Sequence, residues 1–215
     1  MYYNSEALRH ELAHVYWLGG SPCSGKSSIA DSLAEKYGLH IYRCDEAFYV
    51  HEKLITCKEQ PTFYRLTHLS SEELWMRPVE QQTVEEISFY REEFPLIIKD
   101  LLALSKSMPI LAEGAALLPE LVCSLLLDRR RTLWVVPTPA FQLYHYERRA
   151  WAWDVVKECK NPAQAFSNWM QRDIGFARFV TQEAAERGMS VLQVDGKLSL
   201  AENMTYVEQY FQLRC

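Results

Sequence analysis

The fold is decided by residues 20–27, which read Gly20-Ser21-Pro22-Cys23-Ser24-Gly25-Lys26-Ser27. We call this stretch the glycine-rich loop. An apolar run, residues 14–18, precedes it, and an amphipathic segment follows from Ser28 and ends near Gly38. A short apolar run predicts a buried strand, whereas apolar residues at helical spacing predict a helix. The sequence therefore predicts that the loop joins a strand to a helix.

The glycine-rich loop fits the pattern G-x-x-x-x-G-K-[ST], whose chemistry is phosphate binding. Glycines allow backbone N–H groups to approach phosphate oxygens, and the start of a helix adds its positive dipole end. Lys26 would place its charge on the β- and γ-phosphates, and the Ser27 hydroxyl would ligate Mg²⁺. An ordinary turn rich in Gly and Ser is the alternative. The strand before the loop and the helix after it favour a nucleotide site.

Length and composition are typical of one globular domain with a small ligand. The chain has 215 residues, 48% of them hydrophobic and 24% charged, and a formal net charge of −5 at pH 7. This size predicts a single domain over residues 1–215, with room for a helical insertion. The negative charge argues against binding long nucleic acid by phosphate neutralisation.

The sequence carries no secretory signal pattern and no apolar run as long as a membrane span. We therefore expect a cytoplasmic protein with no membrane partner, and the sequence does not indicate its oligomeric state. The six cysteines form no C-x-x-C pair and no zinc-like spacing, which favours free thiols.

Two carboxylates come at the ends of further predicted strands. Residues 39–45 predict a second strand ending at Asp45, and residues 108–114 predict a third strand containing Glu113. Ligands of parallel α/β sheets bind beyond the carboxyl ends of the strands, so both carboxylates should face the glycine-rich loop. Capping of the next helix is the alternative role for Asp45. A buried Glu113 requires a cation, a metal or a hydrogen-bond donor.

The region between the second and third strands, residues 46–105, predicts a mostly helical insertion that builds a substrate site. It includes an aromatic-rich stretch over residues 46–70 and a long helix from about residue 78, kinked at Pro95. Three arginines in it are candidates for binding an anionic substrate, with ion pairing at the surface as the alternative: Arg65, Arg77 and Arg91.

The second half of the chain continues the alternation of strands and helices, which predicts the α/β class with a parallel sheet. Strands are predicted at residues 132–136 and 189–194, with a helix at about 119–128. Residues 140–187 are mostly helical and break at Asn161-Pro162. Arginines in this region could close as a lid over polyphosphate, or each could pair with a local acid. These arginines are Arg148, Arg149, Arg172 and Arg178.

Together the loop, the two carboxylates and the arginine-bearing helices resemble the nucleoside monophosphate kinase-like branch of the P-loop kinases, which includes shikimate kinase and other small-molecule kinases. The resemblance follows the order of elements over nearly the full length, and the glycine-rich loop is its specific motif. It implies a three-layer P-loop NTPase fold with a five-stranded parallel sheet of order 2-3-1-4-5. It also implies a substrate-binding insertion at about 46–105 and a lid at about 148–172.

The resemblance further implies ATP and Mg²⁺ as ligands and assigns residues to them. The implied ATP site comprises Gly20, Ser21, Cys23, Ser24, Gly25, Lys26, Ser27, Ser28, Arg149, Asp195 and Gly196. Within it, the Asp195-Gly196 turn would pack the adenine base. The Mg²⁺ ligands would be Ser27 and Glu113.

The implied reaction is transfer of the γ-phosphate of ATP to a small acceptor. The catalytic residues would be Lys26, Asp45, Glu113, Arg148 and Arg172. Asp45 would orient or deprotonate an acceptor hydroxyl, and Glu113 would hold the water shell of the metal, although the two roles could be exchanged. The acceptor is a nucleoside or nucleotide, or else a non-nucleotide alcohol. The alternative function is an ATP-binding regulatory or toxin-like protein without kinase turnover.

Overall fold

The computed structural model describes residues 6–213, which contain one sheet of five parallel strands. The strands are β1 (Val15–Gly20), β2 (His40–Arg43), β3 (Ile110–Glu113), β4 (Thr132–Pro137) and β5 (Val191–Val194). Their order across the sheet is β2-β3-β1-β4-β5. The predicted α/β class, the parallel sheet and the strand order are therefore confirmed.

Eleven α-helices lie within residues 6–213. They are α1 (Glu6–Glu11), α2 (Lys26–Tyr37), α3 (Cys44–His51), α4 (Pro61–Thr67), α5 (Ser71–Trp75), α6 (Val79–Ala103), α7 (Pro119–Val122), α8 (Pro139–Tyr146), α9 (Ala150–Val156), α10 (Pro162–Glu186) and α11 (Leu200–Phe211). Helices α3 to α6 lie between β2 and β3, where the insertion is predicted. Helix α9 and the first part of α10 occupy the predicted lid. No helix of residues 6–213 is long and apolar enough to cross a membrane.

Helices cover both faces of the sheet, because successive side chains of a strand point to opposite faces. Trp17 of β1 belongs to a buried cluster with Phe94 of α6 and Phe176 of α10. Its neighbour Leu18 belongs to a different cluster, with Ile29 of α2. Full burial of an aliphatic side chain such as Leu18 stabilises the fold by roughly 1.5–3 kcal/mol. The sheet is therefore the middle layer between two apolar cores.

A third apolar cluster joins the predicted lid to the insertion and to the glycine-rich loop. It contains Trp75 of α5, Tyr146 of α8 and Trp169 of α10, and Cys23 of the loop packs against it. The Asn168 side-chain amide also donates to the Trp75 carbonyl oxygen, 2.9 Å away. The predicted insertion and the predicted lid are therefore in direct contact.

The segment after β3 is less helical than predicted. The helix predicted at about residues 119–128 ends as α7 at Val122, and a single 3₁₀ turn, Cys123–Leu125, follows. Leu126 then has extended backbone angles. The pattern was misleading because the buried Val122 ends α7 and the buried Leu125 ends the 3₁₀ turn, so the two side chains reach the core without sharing one continuous α-helical face. The prediction is wrong for the second half of that helix.

Helix α6 continues through Pro95 as one helix to Ala103. A proline inside a helix removes one backbone hydrogen bond. Phe94, Ile97 and Ile98 are buried beside it, and their packing outweighs that loss.

The cysteines of the described residues are free thiols, in agreement with the prediction for that part of the chain. Cys215, also predicted to be free, lies outside the described residues.

Candidate functional site

A cleft of about 720 Å³ opens where three neighbouring strands end. The glycine-rich loop follows β1, Asp45 follows β2, and Glu113 is the last residue of β3. Residues 22–28, Asp45 and Glu113 all line the cleft. The structure therefore brings together the residues that the sequence places at three separate strand ends.

The glycine-rich loop is held close to the sheet by its first glycine. Gly20 has a φ of +129°, and a Cβ atom at this position would lie 1.9 Å from the Val135 carbonyl oxygen of β4. Only glycine fits such a close approach of two backbones. Gly25 precedes α2 in a left-handed conformation, and the helix begins at Lys26. The loop thus delivers Lys26 at the first position of a helix.

Lys26 is buried, with 7% of its surface exposed, yet its ammonium has only neutral hydrogen-bond partners. Its Nζ donates to the Ser21 carbonyl oxygen at 2.8 Å and to the Ser24 hydroxyl at 3.4 Å. Burial lowers the pKa of Lys26 below its ordinary value, and the nearby Glu113 and Asp45 carboxylates oppose that effect. No carboxylate of residues 6–213 forms a salt bridge with Lys26.

Ser27 and Glu113 place a hydroxyl and a carboxylate side by side. The Ser27 hydroxyl donates to Glu113 Oε2 at 3.4 Å, and Arg43 Nη1 donates to Glu113 Oε1 at 3.3 Å. Glu113 is 3% exposed. Burial raises the pKa of Glu113, whereas the Lys26 charge lowers it and the Asp45 charge raises it further.

This oxygen pair fits a magnesium ion that arrives with phosphates. Mg²⁺ binds one or two protein oxygens and completes its shell with water and phosphate oxygens. Residues 6–213 contain no cluster of three or more His, Cys, Asp or Glu side chains suited to a metal. The cleft therefore offers no ready-made metal cage within the described residues, and the Ser27 hydroxyl beside the Glu113 carboxylate is the oxygen pair that would suit Mg²⁺ if a nucleotide brought it.

Asp45 is exposed and lies in the first turn of α3, so it faces the cleft from the β2 side. The N-cap position of that helix belongs to Arg43 and not to Asp45, which disfavours the capping role considered from the sequence. A carboxylate in the first turn is still favoured by the helix dipole. Asp45 is thus a free carboxylate oriented by a helix start.

The predicted lid arginines occupy different environments. Arg149 lines the cleft beside the rings of Tyr146 and Trp151, which lie 5.2 and 5.8 Å from its guanidinium carbon. Arg148 does not line the cleft: it lies 3.5 Å from the Tyr144 ring and donates to the Tyr144 carbonyl oxygen. Of this arginine pair, only Arg149 lines the cleft.

Arg172 also lines the cleft, but two carboxylates share its charge. Its guanidinium lies 3.2 Å from Glu86 and 2.7 Å from Asp173. Burial raises the pKa of Glu86 to about 7, with the Arg172 charge opposing this, and burial likewise raises the pKa of Asp173. We call Gln82, Glu86, Arg172 and Asp173, with Arg77, the acidic end of the cleft.

The sequence reasoning missed Glu86 and Asp173. One signal was available: Gln82, Glu86 and Tyr90 recur every four residues along α6, beside its apolar face. Residues four apart lie on one face of a helix, so this spacing marks a polar stripe on a helix that is otherwise buried. All three side chains line the cleft.

Several predicted site residues lie away from the cleft lining. Asp195 forms a 2.7 Å salt bridge with Lys197, and Gly196 lies against Phe141. Neither residue lines the cleft, and the predicted adenine contact stays a prediction. Gly20 and Ser21 lie behind the lining, where they shape the loop.

Comparisons with known proteins give no family and no function. No protein-family model matches the chain, and no curated protein matches it. Among solved structures, the chain is similar to an uncharacterized protein from Eubacterium ventriosum ATCC 27560. The identity is 13%, the match covers 93% of this chain and 98% of that one, and the TM-score is 0.39. At this TM-score the match carries no argument.

Proposed function

We propose that the chain is an ATP- and Mg²⁺-dependent phosphotransferase that moves the γ-phosphate to a small-molecule acceptor, with the glycine-rich loop as its phosphate-binding loop. One observation carries the proposal: a single cleft contains Lys26 without a salt bridge, the Ser27–Glu113 oxygen pair and the exposed carboxylate of Asp45. A polyphosphate, its metal ion and an acceptor each require one of these groups.

The loop side of the cleft would bind the donor. Backbone N–H groups of residues 22–27 and the N-terminus of α2 would hold the phosphates, and Lys26 would exchange its two loop partners for phosphate oxygens. Arg149 would add a second charge from the lid side. Bound Mg²⁺ would neutralise phosphate charge, with Ser27 and Glu113 holding its shell.

Asp45 would act on the acceptor. The acceptor oxygen forms a bond to the γ-phosphorus, the bond from that phosphorus to the β,γ-bridging oxygen breaks, and ADP leaves with the electron pair. The acceptor proton passes to the Asp45 carboxylate. Positioning and charge neutralisation supply most of the rate in such transfers, which suits a site with one base and several fixed charges.

The test is titration of Mg-ATP by calorimetry, followed by transfer of labelled γ-phosphate. We expect wild-type binding, and Lys26→Ala should weaken it at least about tenfold because a buried cation on the phosphates is lost. Lys36→Ala is the matched control, since Lys36 lies in the same helix but is exposed and paired with Glu208.

Two outcomes would contradict the proposal in different ways. Absence of Mg-ATP binding by the wild type would remove the nucleotide site. Binding without phosphate transfer to any acceptor would favour the regulatory or toxin-like alternative.

A further inference from the structure

Four polar side chains outside the cleft lining form a mostly buried cluster where α3 packs against α6. They are Tyr42 of β2, His51 of α3, and Glu93 and Asp100 of α6, and we call them the histidine cluster. His51 Nδ1 lies 3.0 Å from Glu93 Oε1, and His51 Nε2 lies 2.9 Å from Asp100 Oδ2. The Tyr42 hydroxyl donates to the same Asp100 oxygen at 2.9 Å. Both ring nitrogens of His51 therefore face a carboxylate.

This arrangement requires two protons, one between each ring nitrogen and its carboxylate. An ionised carboxylate only accepts hydrogen bonds, and a neutral imidazole has a single N–H. With one proton, a nitrogen lone pair would face an oxygen lone pair. The count is the same whether the second proton resides on the His51 ring or on Glu93. His51 is 1% exposed and Glu93 is 2% exposed, so water does not reach the gap that a lost proton would leave.

The surroundings favour retention of the second proton. Burial by itself lowers the pKa of His51, but the hydrogen bonds to Glu93 and Asp100 outweigh burial and raise this pKa above its ordinary 6.5. Burial also raises the pKa of Glu93, with the His51 contact opposing it and the Asp45 charge adding to it. Burial raises the pKa of Tyr42, which stays a neutral donor. The groups that face His51 are thus Glu93 and Asp100 from α6 and, through Asp100, Tyr42 from β2.

His51 and Asp45 lie at opposite ends of one short helix. Helix α3 has eight residues, of which only Cys44 and His51 are buried. Phe48 lies between them and stacks on Phe63 of α4, with 5.4 Å between the ring centroids. Residues 44, 48 and 51 share one face of the helix because they are spaced by four and three. The histidine cluster therefore fixes the far end of the helix whose first turn carries Asp45 into the cleft.

We propose that His51 is a positioning residue for Asp45: its contacts with Glu93 and Asp100 hold α3 in place, and loss of one proton from the histidine cluster releases α3 and slows phosphoryl transfer. This proposal rests on the phosphotransferase function above. After proton loss, a buried carboxylate would face a nitrogen lone pair, which favours separation of α3 from α6. A displacement of about 1 Å of a group that must meet its reaction partner can cost about 100-fold in rate.

The sign of the pH effect follows from the raised pKa of His51. The contribution of the cluster is complete below the ordinary value of 6.5 and is lost as the pH rises through the raised value. The wild-type kcat should therefore fall on the alkaline side. We expect a fall of at least about tenfold. KM for ATP should stay unchanged, because the glycine-rich loop belongs to β1 and α2 and not to α3.

The experiment follows kcat and KM for ATP from about pH 6 to 10 with labelled Mg-ATP. The acceptor is whichever member of a panel of nucleosides, nucleoside monophosphates and aminosugars takes up labelled phosphate. Urea denaturation over the same range measures the free energy of unfolding without any acceptor.

The informative variant is Glu93→Gln, which has nearly the same shape. Its side-chain amide can donate to His51 Nδ1 while His51 Nε2–H donates to Asp100, so a neutral ring satisfies both contacts. The alkaline fall of kcat should disappear in this variant. Asp100→Asn repeats the test from the other ring nitrogen, at a side chain that is 41% exposed. Glu80→Gln is the control, since Glu80 is exposed on the same helix and should keep the wild-type profile.

The outcomes separate this inference from the proposed function. If Glu93→Gln changed the pH dependence of unfolding but left the kcat profile as in the wild type, His51 would be structural only. If neither profile changed, the cluster would not hold the second proton. Both results would overturn the inference and leave the phosphotransferase standing. Absence of transfer to every acceptor by a protein that binds Mg-ATP would instead overturn the proposed function, and the role of Asp45 with it.

Discussion

The two ends of the cleft hold their cations in opposite ways. At the loop end, Lys26 is hydrogen-bonded to a carbonyl and a hydroxyl, which are neutral. At the acidic end, Arg172 is bound by two carboxylates. A cation with neutral partners can exchange them for an incoming anion without leaving a charge unpaired. An arginine that is already paired with carboxylates would leave a carboxylate unpaired. Under the proposed function, a polyphosphate would therefore bind at the loop end.

The largest expected effect concerns Asp45, which lines the cleft but forms no salt bridge within residues 6–213. Asp45→Asn should lower kcat by about 100- to 10,000-fold, because the amide cannot accept the acceptor proton. Calorimetry should show Mg-ATP affinity nearly unchanged. Glu46→Gln is the control, since Glu46 is exposed and pairs with Arg43. An unchanged kcat for Asp45→Asn would remove it as the base.

The next effect tests what holds the loop end in place. Gly20→Ala should lower the free energy of unfolding by about 3 kcal/mol or more, because its Cβ would overlap the Val135 carbonyl oxygen. Gly38 also has a positive φ, of +65°, but no atom lies within 4 Å of a Cβ placed there, so Gly38→Ala should cost about 1 kcal/mol. Urea denaturation measures both. Equal losses would show that backbone angle, and not the contact with β4, fixes the loop.

A smaller effect is expected at the lid, where it tests which arginine contributes to Mg-ATP binding at the loop end. Arg149→Ala should weaken Mg-ATP binding about tenfold, as expected for one charge-assisted contact to phosphate. Arg148→Ala should leave it unchanged, because Arg148 is bound to Tyr144 outside the cleft lining. Parallel calorimetric titrations of the two variants test this. If Arg148→Ala weakened Mg-ATP binding and Arg149→Ala did not, Arg148 would be the residue that contacts phosphate. The lid would then have to move to bring Arg148 into the cleft.

The smallest effect is the pH dependence of stability at the acidic end. Burial raises the pKa of Glu86 from an ordinary 4.5 to about 7. The folded state therefore holds the proton more tightly. The resulting stabilisation is complete below pH 4.5 and is lost as the pH rises through about 7.

Glu86→Gln cannot titrate, so its unfolding free energy should fall less than that of the wild type between pH 5 and 7. The slopes of unfolding free energy against pH should differ between the two proteins by the equivalent of at most about one bound proton. Denaturant titrations across this pH range measure it. Parallel pH profiles would contradict a raised pKa for Glu86.

Much of the loop end could be predicted from the sequence because its parts are contiguous or end neighbouring strands. Lys26 and Ser27 follow from a local pattern, and Asp45 and Glu113 follow from apolar runs that end in a carboxylate. The acidic end could not be predicted in this way. Glu86 and Asp173 come from two helices far apart in the chain, and the four-residue spacing that includes Glu86 marks a polar stripe on α6 without showing which residue it faces.

The sequence alone determined the alternation of strands and helices and the position of the glycine-rich loop, because apolar periodicity and turn residues act locally. Only the tertiary structure decided which charges are free. Packing of α6 against α10 brings Arg172 next to Glu86, while the loop leaves Lys26 with neutral partners. Pairing of charges depends on contacts between distant segments, and burial makes those contacts strong.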